Sequence, residues 1–359
     1  MLSFAENGTW LMITIKDIAK AVGVAASTVA RALADHPHVH EATKARIREE
    51  AARLGYVAHA PARAMRGGHS GLIGLMIPDV RNDFYSAAAQ SISQACAASD
   101  LQVVLSITDE DPAREHDLLR SLVSARCAGV IIVLTSNPSR ESLALLQKVP
   151  HVQFIRRSRT LRAPWFGIDD AAATRLAAEH LLGLGHRRIA YVGGDLALST
   201  GAERFRGFED ALKAHRVAPR RELLAHGPAD AQSGAIGTRT VLSVNPPPTA
   251  LVLAGSRLAV GALDAVRELG IDVPRELSVV GFNDSAGLGW WGKGVTSVGL
   301  PVQDVAIACA AGLIGAVRAT AGDRGAASVR PAAAMFEPFL VERGSTAALA
   351  TTGTRKRAA

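Results

Sequence analysis

The chain has 359 residues, enough for two or three domains and too many for one small module. Hydrophobic residues make up 48% and aromatics only 4%, so the cores must be built from Ala, Val, Leu and Ile; that excludes a largely disordered chain and suits helices packed on buried strands. Forty Lys and Arg against 33 Asp and Glu leave a net charge of +7, compatible with an anionic partner without requiring one.

The leading segment, MLSFAENGTWLM, carries Glu6 and lacks the basic start of a secretory signal, and no apolar run approaches the roughly 18 to 20 residues of a membrane span. A cytoplasmic protein with no membrane association is expected. Residues 1–12 read as a disordered extension, and either Met1 or Met12 is the start. Cys96, Cys127 and Cys309 stand alone, without the short spacings of metal or redox sites, so neither a disulfide framework nor a metal is expected.

Residues 13–58 form the first patterned unit. Between 13 and 69, nine bases oppose five acids, so this short stretch carries more than half of the excess charge. The run TIKDIAKAVGVAASTVARAL spaces its apolar residues as two short helices broken at Gly23, with Thr14 three residues ahead of Asp17 as in a capping box. Ile15, Ile18 and Ala19 make one face, Val29 and Leu33 answer it, and Ala26, Ser27, Thr28 and Arg31 are left outward. That is the layout of a helix-turn-helix, whose second helix offers its first residues to the major groove. A plain helical hairpin would give the same two-helix pattern. A third helix, 41–54, closes the unit, and residues 59–70, with Pro61, Gly67 and Gly68, read as a linker.

From Leu72, short apolar runs (LIGLMI, QVVLSI, GVIIVL) alternate with helix-like stretches, and the alternation restarts after Asp169 with RIAYVGG, TALVLAG and SVVGFND. Two α/β halves with parallel sheets are expected. Residues 319–328 read as a loop, and 344–359 as a disordered tail.

The segments TIKDIAKAVGV, STVARAL, LGY, IGLMIPDVRNDFY, GHRRIAYVGG, RFRGF and VPRELSVVGFND, in this order, resemble the lactose/galactose repressor (LacI/GalR) family of transcription factors over about residues 13–342. The resemblance implies an all-α helix-turn-helix head, a hinge helix, and a periplasmic-binding-protein-like α/β core of two doubly wound lobes, with lobe one at 72–169 and 299–328 and lobe two at 170–298 and 329–343. It further implies a homodimer, without the Leu heptads of tetrameric relatives, that binds double-stranded operator DNA under the control of a small effector and uses no cofactor. DNA-contacting positions carried over are Thr14, Ala26, Ser27, Thr28, Arg31, Lys44, Arg46, His59 and Met65. Of these, Arg31 can donate twice to guanine, while Lys44, Arg46 and Thr28 suit phosphates. The hinge helix would span 61–66, with Met65 in place of a leucine wedge. Ala25 and His40 replace Ser caps and His59 replaces Asn, which predicts a head of lowered stability.

Effector positions carried over are Phe84, Tyr85, Arg156, Thr200, Arg204, Ser256, Arg257 and Asn283. Arg156 stands where the family has an Asp, Gly255 and Ser256 replace Asn-Asp beside Arg257, and Asn283 replaces another Asp. Ala229 stands where some members have an aromatic. Carboxylates accept sugar hydroxyls whereas Arg only donates, so an anionic effector is expected: a sugar acid, a sugar phosphate or an organic acid. The competing expectation is that Arg156 or Arg257 pairs with an acid such as Asp169 or Asp170. The alternatives are a transporter's solute-binding protein, which would need export and no head, and an α/β enzyme, for which no phosphate loop, nucleophile elbow or metal motif is found. His186 reads as a structural residue.

Overall fold

The computed structural model describes residues 13–56, 69–158, 160–320 and 333–349. Contacts divide it into two compact units, with the division at Gly68. The expected extension at 1–12, the hinge helix, His59, Met65 and residues 321–328 of the expected loop lie outside the described residues.

In the first unit, α1 (Ile15–Val22), α2 (Ala26–Leu33) and α3 (Glu41–Leu54) pack Ile18, Val29, Ala32, Ile47 and Ala51 into one small core. Helix α1 opens with the Asp17 carboxylate accepting from Thr14 N at 2.8 Å and Thr14 Oγ1 at 2.7 Å, contacts that hold Asp17 below the usual carboxylate range. Gly23, at φ 75°, ends α1 in the left-handed conformation that glycine takes without penalty, and so sets the turn into α2. Ala25 gives α2 no side-chain cap. His40 differs from expectation, because its Nδ1 accepts from Ala42 N at 3.3 Å and so stands in for the missing Ser at α3.

The second unit holds two sheets. In lobe one, β1 (Leu72–Ile77), β2 (Gln102–Ile107), β3 (Gly129–Ile132), β4 (His151–Phe154) and β5 (Trp165–Ile168) run in the order β5-β4-β3-β1-β2, all parallel. Helices α4 (Asp83–Ala97), α5 (Pro112–Ser124) and α6 (Arg140–Leu146) follow the first three strands. Lobe two repeats the plan with β6 (Ile189–Gly194), β7 (Leu224–Gly227), β8 (Ala250–Ala254), β9 (Ser278–Phe282) and β10 (Thr296–Gly299) in the order β10-β9-β8-β6-β7. Its helices are α7 (Asp170–Gly183), α8 (Ser199–Ala214), α9 (Ala231–Leu242), α10 (Ser256–Glu268) and the short α11 (Ala286–Trp290). Strands buried on both faces read as unbroken apolar runs, as β8 and β9 do.

Helix α12 (Val302–Thr320) returns to lobe one and lays Val305, Ala306, Cys309, Ala310 and Leu313 into that lobe's core. By length and composition it could cross a bilayer, contrary to the reading that no run comes close; its buried face accounts for its apolar character. It also carries helix to Thr320, two residues into the expected loop.

Two boundaries differ from expectation. Residues 334–336 were assigned to lobe two, but β11 (Ala334–Phe336) pairs parallel with β5 in lobe one, and only β12 (Phe339–Val341) joins lobe two, antiparallel to β10. Three-residue strands carry no hydropathy period, which is why the sequence did not place them. The tail expected to be disordered from 344 is packed through Leu349. Ser345 is 2% exposed, its carbonyl accepts from Val279 N at 2.9 Å, and its Oγ donates to Val279 O at 2.6 Å. His186 ties the same segment down, with Nε2 3.0 Å from Ala347 O and Nδ1 2.9 Å from Thr249 Oγ1. A carbonyl only accepts, so Nε2 carries the proton; burial holds the imidazole below its ordinary value.

Candidate functional sites

In the head, Ser27 and Arg31 are exposed on α2 and their side chains take no hydrogen bond or ion pair among the described residues, whereas Ala26 and Thr28 are half-buried. Without a side-chain cap at Ala25, the Ala26 and Ser27 amides at the start of α2 stay open while Thr28 N donates to Ala25 O at 2.9 Å, and a helix start with open amides favours negative charge. Thr14 is exposed but engaged by Asp17. Lys16 and Lys20 on α1 also lack a close ion pair, and sequence reasoning passed over them.

Of the expected phosphate contacts, Lys44 is corrected by its surroundings, whereas Arg46 is exposed and makes no ion pair among the described residues. Lys44 is 4% exposed, and its Nζ lies 2.7 Å from Glu41 Oε1 and 3.0 Å from Asp35 Oδ1, so its charge is spent inside the head. Those carboxylates also raise its pKa. Arg46 Nη2 donates to Val22 O at 3.1 Å, tying α3 to the last turn of α1. Arg48 is likewise held by Asp35 at 2.8 Å.

In the core, the C-terminal ends of the parallel strands of both lobes face one cavity of about 300 Å³, the lower end of the ligand-pocket range. Several helices begin on its wall. Gly201 permits the α8 start to close in, since a Cβ there would stand 2.0 Å from Asp195 O. Of the expected effector residues, Phe84, Tyr85, Arg156, Thr200, Arg204, Ser256 and Arg257 line this cavity, as does Ala229. Asn283 does not. It is buried at φ 68°, with its N donating to Val298 O at 2.8 Å; this left-handed turn takes the chain off the end of β9, and Phe282 lines the wall instead.

The cavity also gathers Asp170, which the sequence offered only as an arginine partner, and four acids that sequence reasoning did not assign to it: Asp79, Asp109, Glu110 and Asp230. Asp79 and Glu110 stand two and three residues past the ends of β1 and β2, and that position beyond a strand end was the available signal. Each guanidinium on the wall has a carboxylate partner. Arg156 Nη1 donates to Glu110 Oε2 at 2.7 Å and Nη2 to the other carboxylate oxygen. Arg204 Nε donates to Asp170 Oδ1 at 2.6 Å, Nη1 to Ala254 O at 3.1 Å, and its guanidinium lies 4.2 Å from the Phe282 ring centre. Burial pushes the Asp170 carboxyl up while Arg204 pulls it down. Arg81 donates to Asp79 at 2.9 Å, and Arg257 Nε lies 3.8 Å from the other oxygen of Asp79. The competing expectation had named Asp169 or Asp170 as partners of Arg156 or Arg257; Asp169 instead caps α7 through Ala172 N at 2.8 Å, and Asp170 serves Arg204.

Among the described residues, two polar contacts join the lobes across the cleft. One is the Arg257–Asp79 pair, and the other is Arg157 N donating to Ser199 Oγ at 2.9 Å. Phe84, Phe282, Ile155, Ile168 and Leu300 supply apolar wall between the charged pairs. Among the described residues there is no cluster of His, Cys, Asp or Glu that could hold a metal ion.

Comparison with known proteins gives matching results for both units. Residues 14–59 match the family described as bacterial regulatory proteins, lacI family, and residues 178–346 match a periplasmic binding protein-like domain. The HTH-type transcriptional regulator MalR of Streptomyces coelicolor is 32% identical over 343 residues, covering 93% of this chain and 96% of that protein. The regulator GalR of Escherichia coli is 28% identical over 278 residues, covering 76% of this chain and 80% of that protein. Among solved structures, a LacI-family transcriptional regulator from Silicibacter pomeroyi superposes with a TM-score of 0.78 at 26% identity, covering 93% and 99% of the two chains. The lac repressor dimer bound to operator and the anti-inducer ONPF gives 0.79 at 24% identity, covering 94% and 100%.

Proposed function

The chain belongs to the lacI family of bacterial regulatory proteins, and from that membership we propose a homodimeric, operator-binding repressor whose DNA affinity is set by a small uncharged, hydroxyl-bearing molecule held between the core lobes. Its standing as a DNA-binding transcriptional regulator follows from the family, as does the absence of enzymatic activity. The head excludes a transporter's solute-binding protein, which needs none.

The observation that carries the ligand assignment is the charge matching of the cleft. The anion expectation rested on arginines 156 and 257 standing without acid partners; Arg156 is hydrogen-bonded to Glu110, while Arg257 Nε makes no hydrogen bond and lies 3.8 Å from the Asp79 carboxylate. The wall as a whole carries five carboxylates against four guanidiniums, so an anion meets no net positive charge there. Carboxylates that accept and guanidiniums that donate, set between aromatic faces, suit a ring bearing several hydroxyls.

Control of DNA binding follows if the ligand prefers one lobe arrangement, since it shifts that equilibrium only by its differential affinity for the two states. The Arg257–Asp79 and Arg157–Ser199 contacts span the gap that such a change would widen or close. DNA contact in the head falls to Arg31 and Ser27, with Lys16 and Lys20 on phosphates, and dimerisation places two heads on a near-palindrome. Calorimetric titration of the full chain with uncharged mono- and disaccharides and polyols, followed by operator binding with and without any sugar that binds, tests this. Binding of an uncharged sugar that alters operator affinity is expected; binding by acids alone would overturn the ligand assignment.

A further inference from the structure

Arg156 and Glu110 meet at the lobe-one end of the cleft in an arrangement that needs an explanation of its own. Arg156 is 6% exposed, and beyond its two-pronged contact with Glu110 its Nη1 donates to Leu134 O at 2.9 Å. Its Nε is buried without a partner. Glu110 makes the paired contact that a ligand carboxylate would make with an arginine, and at 43% side-chain exposure it still lines the cavity.

The backbone on both sides of this pair is left-handed: Asp109 at φ 51°, Glu110 at φ 59° and Ile155 at φ 62°. Such values are uncommon for any residue other than glycine and are an outlier for a β-branched one, so they persist only where surrounding contacts enforce them. The second nearby carboxylate is not a substitute. Glu115 is fully buried, its Oε2 accepts from Thr135 N at 2.8 Å, its Oε1 has no partner, and burial pushes it up toward the neutral form.

We infer that Glu110 is a resident carboxylate occupying the anion position at Arg156, and that it is the specificity-determining residue that restricts the cleft to uncharged ligands. A ligand that carries its own carboxylate has to displace Glu110 from a two-pronged contact before Arg156 can serve it. The consequence for the effector rests on the cleft being the ligand site, whereas the carboxylate position at Arg156 is a property of the protein alone.

The two are separable by experiment. In the full-length Glu110→Ala protein, acetate is expected to raise the thermal midpoint saturably in the millimolar range, in excess of the response of wild type to the same salt, and Arg156→Met in the same background abolishes the excess. Glu110→Ser, which also vacates the position, gives the same readout if the alanine protein does not fold. No saturable excess in either variant overturns the inference whatever the effector is. Calorimetry with uncharged hexoses and pentoses and their aldonic acids then tests the consequence. At least a tenfold gain in aldonic acid affinity in Glu110→Gln is expected, with a smaller change for the matching sugar. Wild type binding an acid as tightly as its sugar overturns the selectivity role while leaving the cleft as the ligand site, and acetate rescue with no sugar or acid binding to any variant counts against the cleft itself.

Discussion

The two units treat positive charge in opposite ways. In the cleft every guanidinium has a carboxylate within 4 Å, while on the outer faces of α1 and α2 Lys16, Lys20 and Arg31 form no ion pair among the described residues. The head contains matched cations too, in Lys44, Arg48 and Arg53, but these lie on α3. Partner chemistry follows from what is left over. Unpaired cations on one face suit a polyanion, and under the proposed function the charge-matched cleft takes a ligand that brings no charge of its own. Composition alone hides this distinction, because the +7 total sums over both.

The largest effect expected from breaking the pattern lies in the cleft. Asp170→Ala leaves Arg204 without its counter-charge in a buried setting and is expected to cost the core about 3–5 kcal/mol, read as a lowered midpoint in thermal or denaturant unfolding. A cost near zero would mean that the pair is not a matched unit. Next comes the head, where Arg31→Ala is expected to weaken specific operator binding by about tenfold to a hundredfold with the unfolding midpoint of the head unchanged. Lys16→Ala and Lys44→Met sharpen the contrast. The first is expected to reduce the slope of log affinity against log salt by about one, and the second to destabilise the head while leaving that slope alone.

A smaller effect concerns the C-terminal segment. Burial holds His180 and His186 below their ordinary value of 6.5, so the unfolded chain takes up these protons first. Core stability is therefore complete above about pH 6.5 and falls as pH drops below it, and His186→Gln flattens that fall in unfolding curves taken at successive pH values. The smallest effect is assigned to Arg257→Ala. Its pair with Asp79 is 3.8 Å long and about a quarter exposed on each side, so the stability change is expected to stay under about 1 kcal/mol while ligand affinity drops.

Much of the architecture is legible from local signals. The helix-turn-helix follows from the capping pair of Thr14 and Asp17, the turn at Gly23 and the spacing of Ile18 and Val29, all within a few residues of one another. The parallel lobes follow from apolar runs alternating with helical stretches. The charge pattern of the cleft is not legible in this way, because it is made at long range. Glu110 reaches Arg156 across 46 residues and through a left-handed loop that no sequence period announces, and Arg204 meets Asp170 across 34. Reading Arg156 from its position alone therefore placed it on the cavity wall without its Glu110 partner. Lys44 is a different case, since its carboxylates stand only three and nine residues before it and its burial, not their distance along the chain, was what the sequence did not show. The strands β11 and β12, and the segment at 344–349, depend on pairing partners elsewhere in the fold.

The central claim is that an uncharged ligand in a charge-matched cleft controls the head. The most direct test is operator binding by the full-length protein at fixed salt, using a fragment selected from genomic DNA, across matched sets of sugars and their acids. The account predicts that at least one uncharged sugar shifts operator affinity and that its acid counterpart does so at least about tenfold less effectively on a concentration scale, which is a difference of about 1.4 kcal/mol. A response to acids with none to any uncharged sugar would contradict it.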